Sequence, residues 1–152
     1  MKKSAGLLMY RRGPAGEIEV LLAHPGGPFW RGKDEASWTL PKGEYLDPED
    51  ALAAARREFA EETGFAVTPP LLPLGDITQK SGKRISAWAF RGDCDPAQLK
   101  SNRFEIEWPP HSGRQQSYPE IDRVQWFSLS EARRQLPLAQ RELLERLEKL
   151  IA

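Results

Sequence analysis

Cysteine is nearly absent from this 152-residue chain, with Cys94 the single example. A lone thiol cannot close an internal disulfide, so the fold is not expected to depend on an oxidising compartment. Neither sign of charge is in excess: Lys and Arg number 22, Asp and Glu number 22, and the formal net charge is zero. Nucleic-acid and membrane-surface binding draw on a basic face that a balanced chain does not supply, and neither partner is expected. Long apolar runs are missing too. The run from Ala5 to Tyr10 is stopped by Arg11 and Arg12 before it reaches signal-peptide length, and no transmembrane stretch follows. The expected location is the cytoplasm. No repeat, low-complexity tract or long linker interrupts the sequence, and its length suits one domain over residues 1–152.

What is present is an ordinary globular composition, 39% hydrophobic and 29% charged. Ser4–Arg11 and Glu17–Ala23 read as a hairpin around the turn Gly13-Pro14-Ala15-Gly16. A glycine- and charge-rich loop from His24 to Ser37 leads to a short strand, Trp38–Pro41. The spacing then predicts a helix from Asp47, as N-cap with Pro48 at the first position, to a left-handed Gly64. Further strands are expected at Leu71–Ile77, Arg84–Arg91, Phe104–Trp108 and Arg123–Phe127. Ser128-Leu129-Ser130-Glu131 reads as a capping box. A helix starting after Pro137 carries the stripe Leu143, Leu144, Leu147, Leu150 and Ile151, which is expected to pack on the core. Helices at the middle and end of a strand-rich chain indicate an α/β sandwich.

The middle helix has an unusual charge pattern. At about 100° per residue, Glu61 and Glu62 fall within about 60° of Glu58, so three carboxylates share one face. Leu52 and Phe59 form the adjacent apolar face that would dock on a sheet, while Ala51 and Ala54 leave room on the acidic side. Glu58 and Glu62 repel as an i,i+4 pair, and all three acids lie where the helix dipole disfavours anions by about 0.3–1 kcal/mol each. A solvated acidic face beside Arg56 and Arg57 is the plain alternative. A divalent cation explains the conflict better, because hard Mg²⁺ takes carboxylate oxygens and keeps positions for phosphates.

Gly43, five residues, Glu49, seven residues, then Arg57-Glu58-Phe59-Ala60-Glu61-Glu62-Thr63-Gly64-Phe65 matches the Nudix box at every position. On these residues the chain resembles the Nudix hydrolase family. The resemblance implies an α/β/α sandwich with a mixed curved sheet and the box helix packed on it. It implies a hydrolase dependent on Mg²⁺, with Mn²⁺ able to substitute, that cleaves a diphosphate linkage in a nucleoside diphosphate derivative. It also implies Glu58 and Glu62 as principal metal ligands, Glu61 completing the cluster, and the carbonyl of Gly43 near the metal. Arg57 would pair with Glu49 or Glu61 and organise the carboxylates.

A base must accept the proton of the attacking water, and Glu61, Glu58 and Glu120 are the candidates. The resemblance implies a glutamate reaching the metal site from the loop before the Trp126 strand, which is Glu120, six residues before Trp126 in Tyr118–Asp122, with Asp122 its competitor. Lys42, Arg31, Lys33, Lys83 and Arg84 are candidate phosphate contacts, Lys42 the foremost because it adjoins the box. Phe29, Trp30, Trp38 and Tyr118 could stack a base, although Trp38, Trp88 and Trp126 are expected in the core. His24 and His111 lack ligand-spacing partners, and Cys94 lacks a histidine, so none is assigned chemistry. Residues Thr78–Gly82 carry neither the proline nor the tyrosine that marks two family subgroups. The polar loop and its basic residues favour a dinucleoside polyphosphate or nucleoside triphosphate as substrate. The rival function is a catalytically silent nucleotide sensor, which would typically lose box carboxylates that are all present here.

Overall fold

In the computed structural model, which describes residues 2–32 and 37–152, the opening hairpin forms as the sequence predicts. β1 (Lys3–Arg12) and β2 (Ile18–Pro25) pair antiparallel from Tyr10↔Val20 to Arg12↔Ile18. They do so only at that end. Beyond Val20, β2 parts from β1 and runs antiparallel to β8 (Ile121–Ser128), reaching Pro25↔Ile121. The freed edge of β1 is taken by β3 (Lys42–Glu44), with Ala5 opposite Gly43. β3 therefore sits in a fork between the first two strands. The other edge of β1 pairs in parallel with β5 (Arg84–Arg91), which carries β4 (Leu72–Thr78) antiparallel. The result is a mixed six-stranded sheet; β6 (Arg103–Glu107) and β7 (Gln115–Pro119) form a separate ribbon.

Alternation along β1 divides the core between the two faces of the sheet. Ala5, Leu7 and Met9 point to one face, where α1 (Ala51–Thr63) lays Ala54, Ala55 and Phe59 upon them. Phe59 meets Phe90 edge to face at 5.4 Å. Leu8 and Tyr10 point to the other face, packed with Leu143, Leu144 and Leu147 of α3 (Arg141–Ile151) and Ala132 of α2 (Leu129–Gln135). Helices thus cover both faces, the α/β/α arrangement implied by the box. None of the helices among the described residues is long and apolar enough to cross a membrane.

Several local expectations are corrected. α1 starts at Ala51, not at Pro48: Asp50 is the cap, its Oδ2 accepting from Ala53 N–H at 3.2 Å. Asp47 is taken instead by Lys3 on β1, Nζ to Oδ1 at 2.6 Å. Gly64 closes the helix with φ 74°, as expected. The segment Trp38–Pro41 makes one bridge, Ala23↔Thr39, and becomes a strand only after Pro41, which has no N–H to give a ladder. Ala54 is fully buried against the sheet, so the acidic side of the helix is not open there. The segment after Pro137 begins as a 3-10 turn, Leu138–Gln140, before α3. Leu143, Leu144 and Leu147 are buried, but Leu150 is half exposed. β7 was not expected, and it reduces the loop before β8 to the single residue Glu120.

Candidate active site

The fork in the sheet decides where Gly43 lies. Pairing with Ala5 holds its backbone beside α1, and a Cβ there would stand 2.0 Å from Oε2 of Glu58. Only glycine leaves that space to the carboxylate. One turn further along α1, Glu62 is 8% exposed, and its Oε1 is buried without a hydrogen-bond partner. The backbone N–H of Lys42 donates to Glu62. Burial first, and then the charge of Glu58, push the Glu62 carboxyl up to about 8. Burial also raises Glu58, against the lowering effect of Arg57, and lowers Lys42, whose neighbour Lys83 acts in the same direction.

Arg57 bonds to three carboxylates along the helix face. It grips Glu49 with two bonds, Nε to Oε2 and Nη2 to Oε1, both 2.8 Å. Its Nη1 reaches Glu58 Oε1 at 2.9 Å and Glu61 Oε2 at 3.4 Å. Those contacts hold Glu49 below its ordinary carboxylate range. The two pairings that the sequence left as alternatives, with Glu49 and with Glu61, both occur.

Glu120 comes to the same place from the far side of the fold. Its N–H donates to Asn102 O at 2.9 Å, and its carbonyl accepts from Gly26 N–H at 2.9 Å. Asn102 N–H in turn donates to Glu61 O at 2.8 Å. The one-residue connection is thus tied by main chain to the end of α1. Glu120 and Glu62 line one cleft of about 190 Å³ with Lys42, and burial raises the Glu120 carboxyl. Asp122 is engaged elsewhere: its Oδ1 lies 2.9 Å from Nδ1 of the buried His24 ring and accepts the N–H there.

The remaining candidates among the described residues do not gather here. Arg84 begins β5, pairs with Lys3 in the sheet and lies 3.8 Å from Asp76. Lys83 binds Glu44 at 2.9 Å. Arg31 is exposed in the loop and does not line the cleft. Lys33 lies outside the described residues. Trp38 is buried, Trp30 is 40% exposed, and Tyr118 leans on Phe104 at 6.1 Å. Burial raises the Cys94 thiol to about 11, which suits an unreactive side chain.

A second cleft of about 230 Å³ adjoins the first and shares Pro25, Thr39 and Lys42 with it. Its lining includes Gln140, which no sequence pattern marks, since a glutamine among Leu136, Leu138 and Ala139 carries no chemical signature.

As to a metal, the donors fit a hard divalent cation: Glu62 has a buried oxygen without a partner, and Glu58 lies against a backbone kept bare of side chain. Among the described residues, no three His, Cys, Asp or Glu side chains already form a finished ligand set. Arg57 occupies one oxygen of Glu58 and reaches one of Glu61, which leaves the other oxygen of each to a cation.

The NUDIX domain family model matches residues 2–147 of the chain. An RNA pyrophosphohydrolase of Caulobacter vibrioides (strain NA1000 / CB15N) is 42% identical over 52 residues, 31% of this chain and 30% of that protein. An RNA pyrophosphohydrolase of Rhizobium meliloti (strain 1021) is 28% identical over 109 residues, 62% of this chain and 60% of that protein. The matches thus span from under a third to three fifths of the relatives' length. Among solved structures, a C. elegans Ap4A hydrolase binary complex superimposes with a TM-score of 0.67 at 24% identity, covering 97% of both chains. The NUDIX domain of Shewanella oneidensis NrtR, complexed with ADP ribose, gives 0.64 at 17% identity, covering 99% of this chain and 88% of that one. At these identities the structural likeness concerns the fold.

Proposed function

Because this chain belongs to the NUDIX family, we propose that it is a pyrophosphohydrolase of nucleoside diphosphate derivatives, working with Mg²⁺ between Glu58 and the cleft that Glu62 and Glu120 line. The observation that carries the reading is the partnerless buried oxygen of Glu62, beside a Glu58 carboxylate that fills the space above Gly43. A carboxylate is costly to bury without a counter-charge, and a cation supplies one. Mg²⁺ would be held by Glu58 and Glu62, with Glu61 and the carbonyl of Gly43. When bound it would neutralise phosphate charge and acidify a water.

The protein's own part is orientation and proton transfer. Lys42, at the mouth shared by both clefts, receives a phosphate oxygen and sets the diphosphate against the glutamates. Arg57 fixes Glu58 and Glu61 through its grip on Glu49. Glu120 takes the proton of the water that attacks phosphorus in line, since it faces the cleft from a connection held by main-chain hydrogen bonds. Glu61 is the next candidate. Arg31, Lys33 and Arg84 remain secondary proposals as outer phosphate contacts. The whole of residues 1–152 acts as one domain in this reading.

The substrate panel should contain Ap4A, nucleoside triphosphates, ADP-ribose and a 5′-triphosphorylated RNA oligonucleotide, each with Mg²⁺, Mn²⁺ or excess EDTA. A dinucleoside polyphosphate or nucleoside triphosphate is the favoured class, and the RNA oligonucleotide tests the activity named for the relatives. Cleavage of at least one compound with Mg²⁺ and its loss in EDTA are expected. Undiminished turnover in chelator would refute the metal assignment; nucleotide binding without any cleavage would favour a sensor.

A further inference from the structure

Gln140 is 1% exposed, yet among the described residues half of its carboxamide has no hydrogen-bond partner. Its Oε1 accepts from Leu40 N–H at 3.2 Å and from Thr39 Oγ1 at 3.0 Å. Leu40 N–H is a donor only, so the amide must present oxygen on that side and cannot be turned over. Nε2 is thereby left with its hydrogens unbound by any group of the described residues. A buried polar group with no partner is uncommon and costly to leave so. The residue lines the second cleft, which opens through Lys42 to the glutamates and has Trp38 and Trp30 among its other lining residues.

We propose that this cleft takes the base of the nucleotide and that Gln140 Nε2 donates to a carbonyl oxygen on that base. The inference rests on the hydrolase reading and adds a preference to it. Thr39 and Leu40 hold the carboxamide in one orientation, so the site offers hydrogens and no acceptor at that point. A base with a carbonyl there, inosine- or guanine-like, completes the bond. Adenine, with an amino group in the same place, brings a second donor and leaves both unpaired. Trp30, 40% exposed and outside the core, supplies an aromatic face near the base.

The discriminating compounds are the diphosphates of inosine, purine riboside and adenosine, which differ at the six position of the ring and, for inosine, in the proton that N1 carries. Their dissociation constants in the presence of Mg²⁺ should be compared with kcat/KM for the triphosphates of inosine and adenosine. Wild-type protein should favour the inosine compound by about 10-fold or more over the other two, the usual worth of one hydrogen bond in a buried site. Gln140→Glu keeps an oxygen for Leu40 and Thr39 but removes the donating group, and should abolish or invert the preference. Equal binding of all three bases by wild-type protein would overturn the inference, with no variant needed. So would a Gln140→Glu protein that folds and weakens every base alike, as expected if a water alone satisfies Nε2. A base preference in binding with no cleavage would sink the hydrolase reading and leave this inference standing; neither binding nor cleavage would sink both.

Discussion

Gly43 and Glu58 compete for one space: a Cβ on the first would lie 2.0 Å from Oε2 of the second. The intruding atom ends a side chain, so the carboxylate has room to give way where the backbone does not. Gly43 is not among the glycines with positive φ, so alanine fits its backbone conformation. Gly43→Ala is therefore expected to fold, with a melting temperature close to wild type. Displacing Glu58 should raise the Mg²⁺ concentration for half-maximal rate and lower kcat by about 10–100-fold. A variant that melts early but binds Mg²⁺ normally would show that the glycine serves packing and not the carboxylate.

Glu62 makes the stability of the metal-free protein depend on pH. Its folded value, about 8, lies above the ordinary 4.5, so the folded state holds the proton more tightly than the unfolded chain. The stabilisation from this group is complete below about pH 4.5 and is lost as pH rises through 8, a change on the order of a few kcal/mol. Thermal melts in EDTA should fall across that window. Glu62→Gln should flatten the fall and melt at the same or a higher temperature at pH 8, while its turnover drops by orders of magnitude. A flat wild-type profile would remove the basis for a buried carboxyl.

Glu120 and Asp122 should separate by assay. Glu120→Gln is expected to lower kcat by about 10²–10⁴, the range for a general base, with KM little changed. Asp122 is bound to the buried His24. Asp122→Asn should therefore cost thermal stability and leave the rate near wild type. The reverse result would assign the base to Asp122; two silent variants would return it to Glu61.

Arg57→Lys keeps the charge but cannot reproduce the two parallel bonds to Glu49 while also reaching Glu58 and Glu61. The expected loss in kcat is about 10–100-fold. The melting temperature should move only slightly, because the pairs are partly solvent-exposed. Addition of guanidinium to an Arg57→Ala variant should recover part of the rate.

The box helix, the opening hairpin and β5 were readable because their signals are local: a 3.6 period, a glycine turn, a run of alternating residues. The fork that receives β3 was not, because it is made by β2 leaving β1 for β8, a pairing about a hundred residues distant along the chain. β7 escaped for a similar reason. Gln115-Gln116-Ser117 has no apolar alternation and is a strand only through β6. Asp47 reads as a cap until Lys3, 44 residues earlier, claims its carboxylate. In the site, the shared face of Glu58, Glu61 and Glu62 followed from helical spacing, and Arg57 from the resemblance of the box. Gln140 did not, since its meaning lies in which half of its amide Leu40 occupies.

Asn102 receives the N–H of Glu120 and gives its own N–H to Glu61. The span between the candidate base and the end of the glutamate helix is consequently gauged in peptide units, from groups every residue but proline carries in full. Exchange of the side chain at 102 leaves that gauge in place, while a proline there, or one residue inserted between 102 and 120, would alter it. Mutational tolerance along this connection should therefore be high for composition and low for length. Drift in the ribbon that it supports can then proceed without disturbing the distance between Glu120 and the glutamate helix.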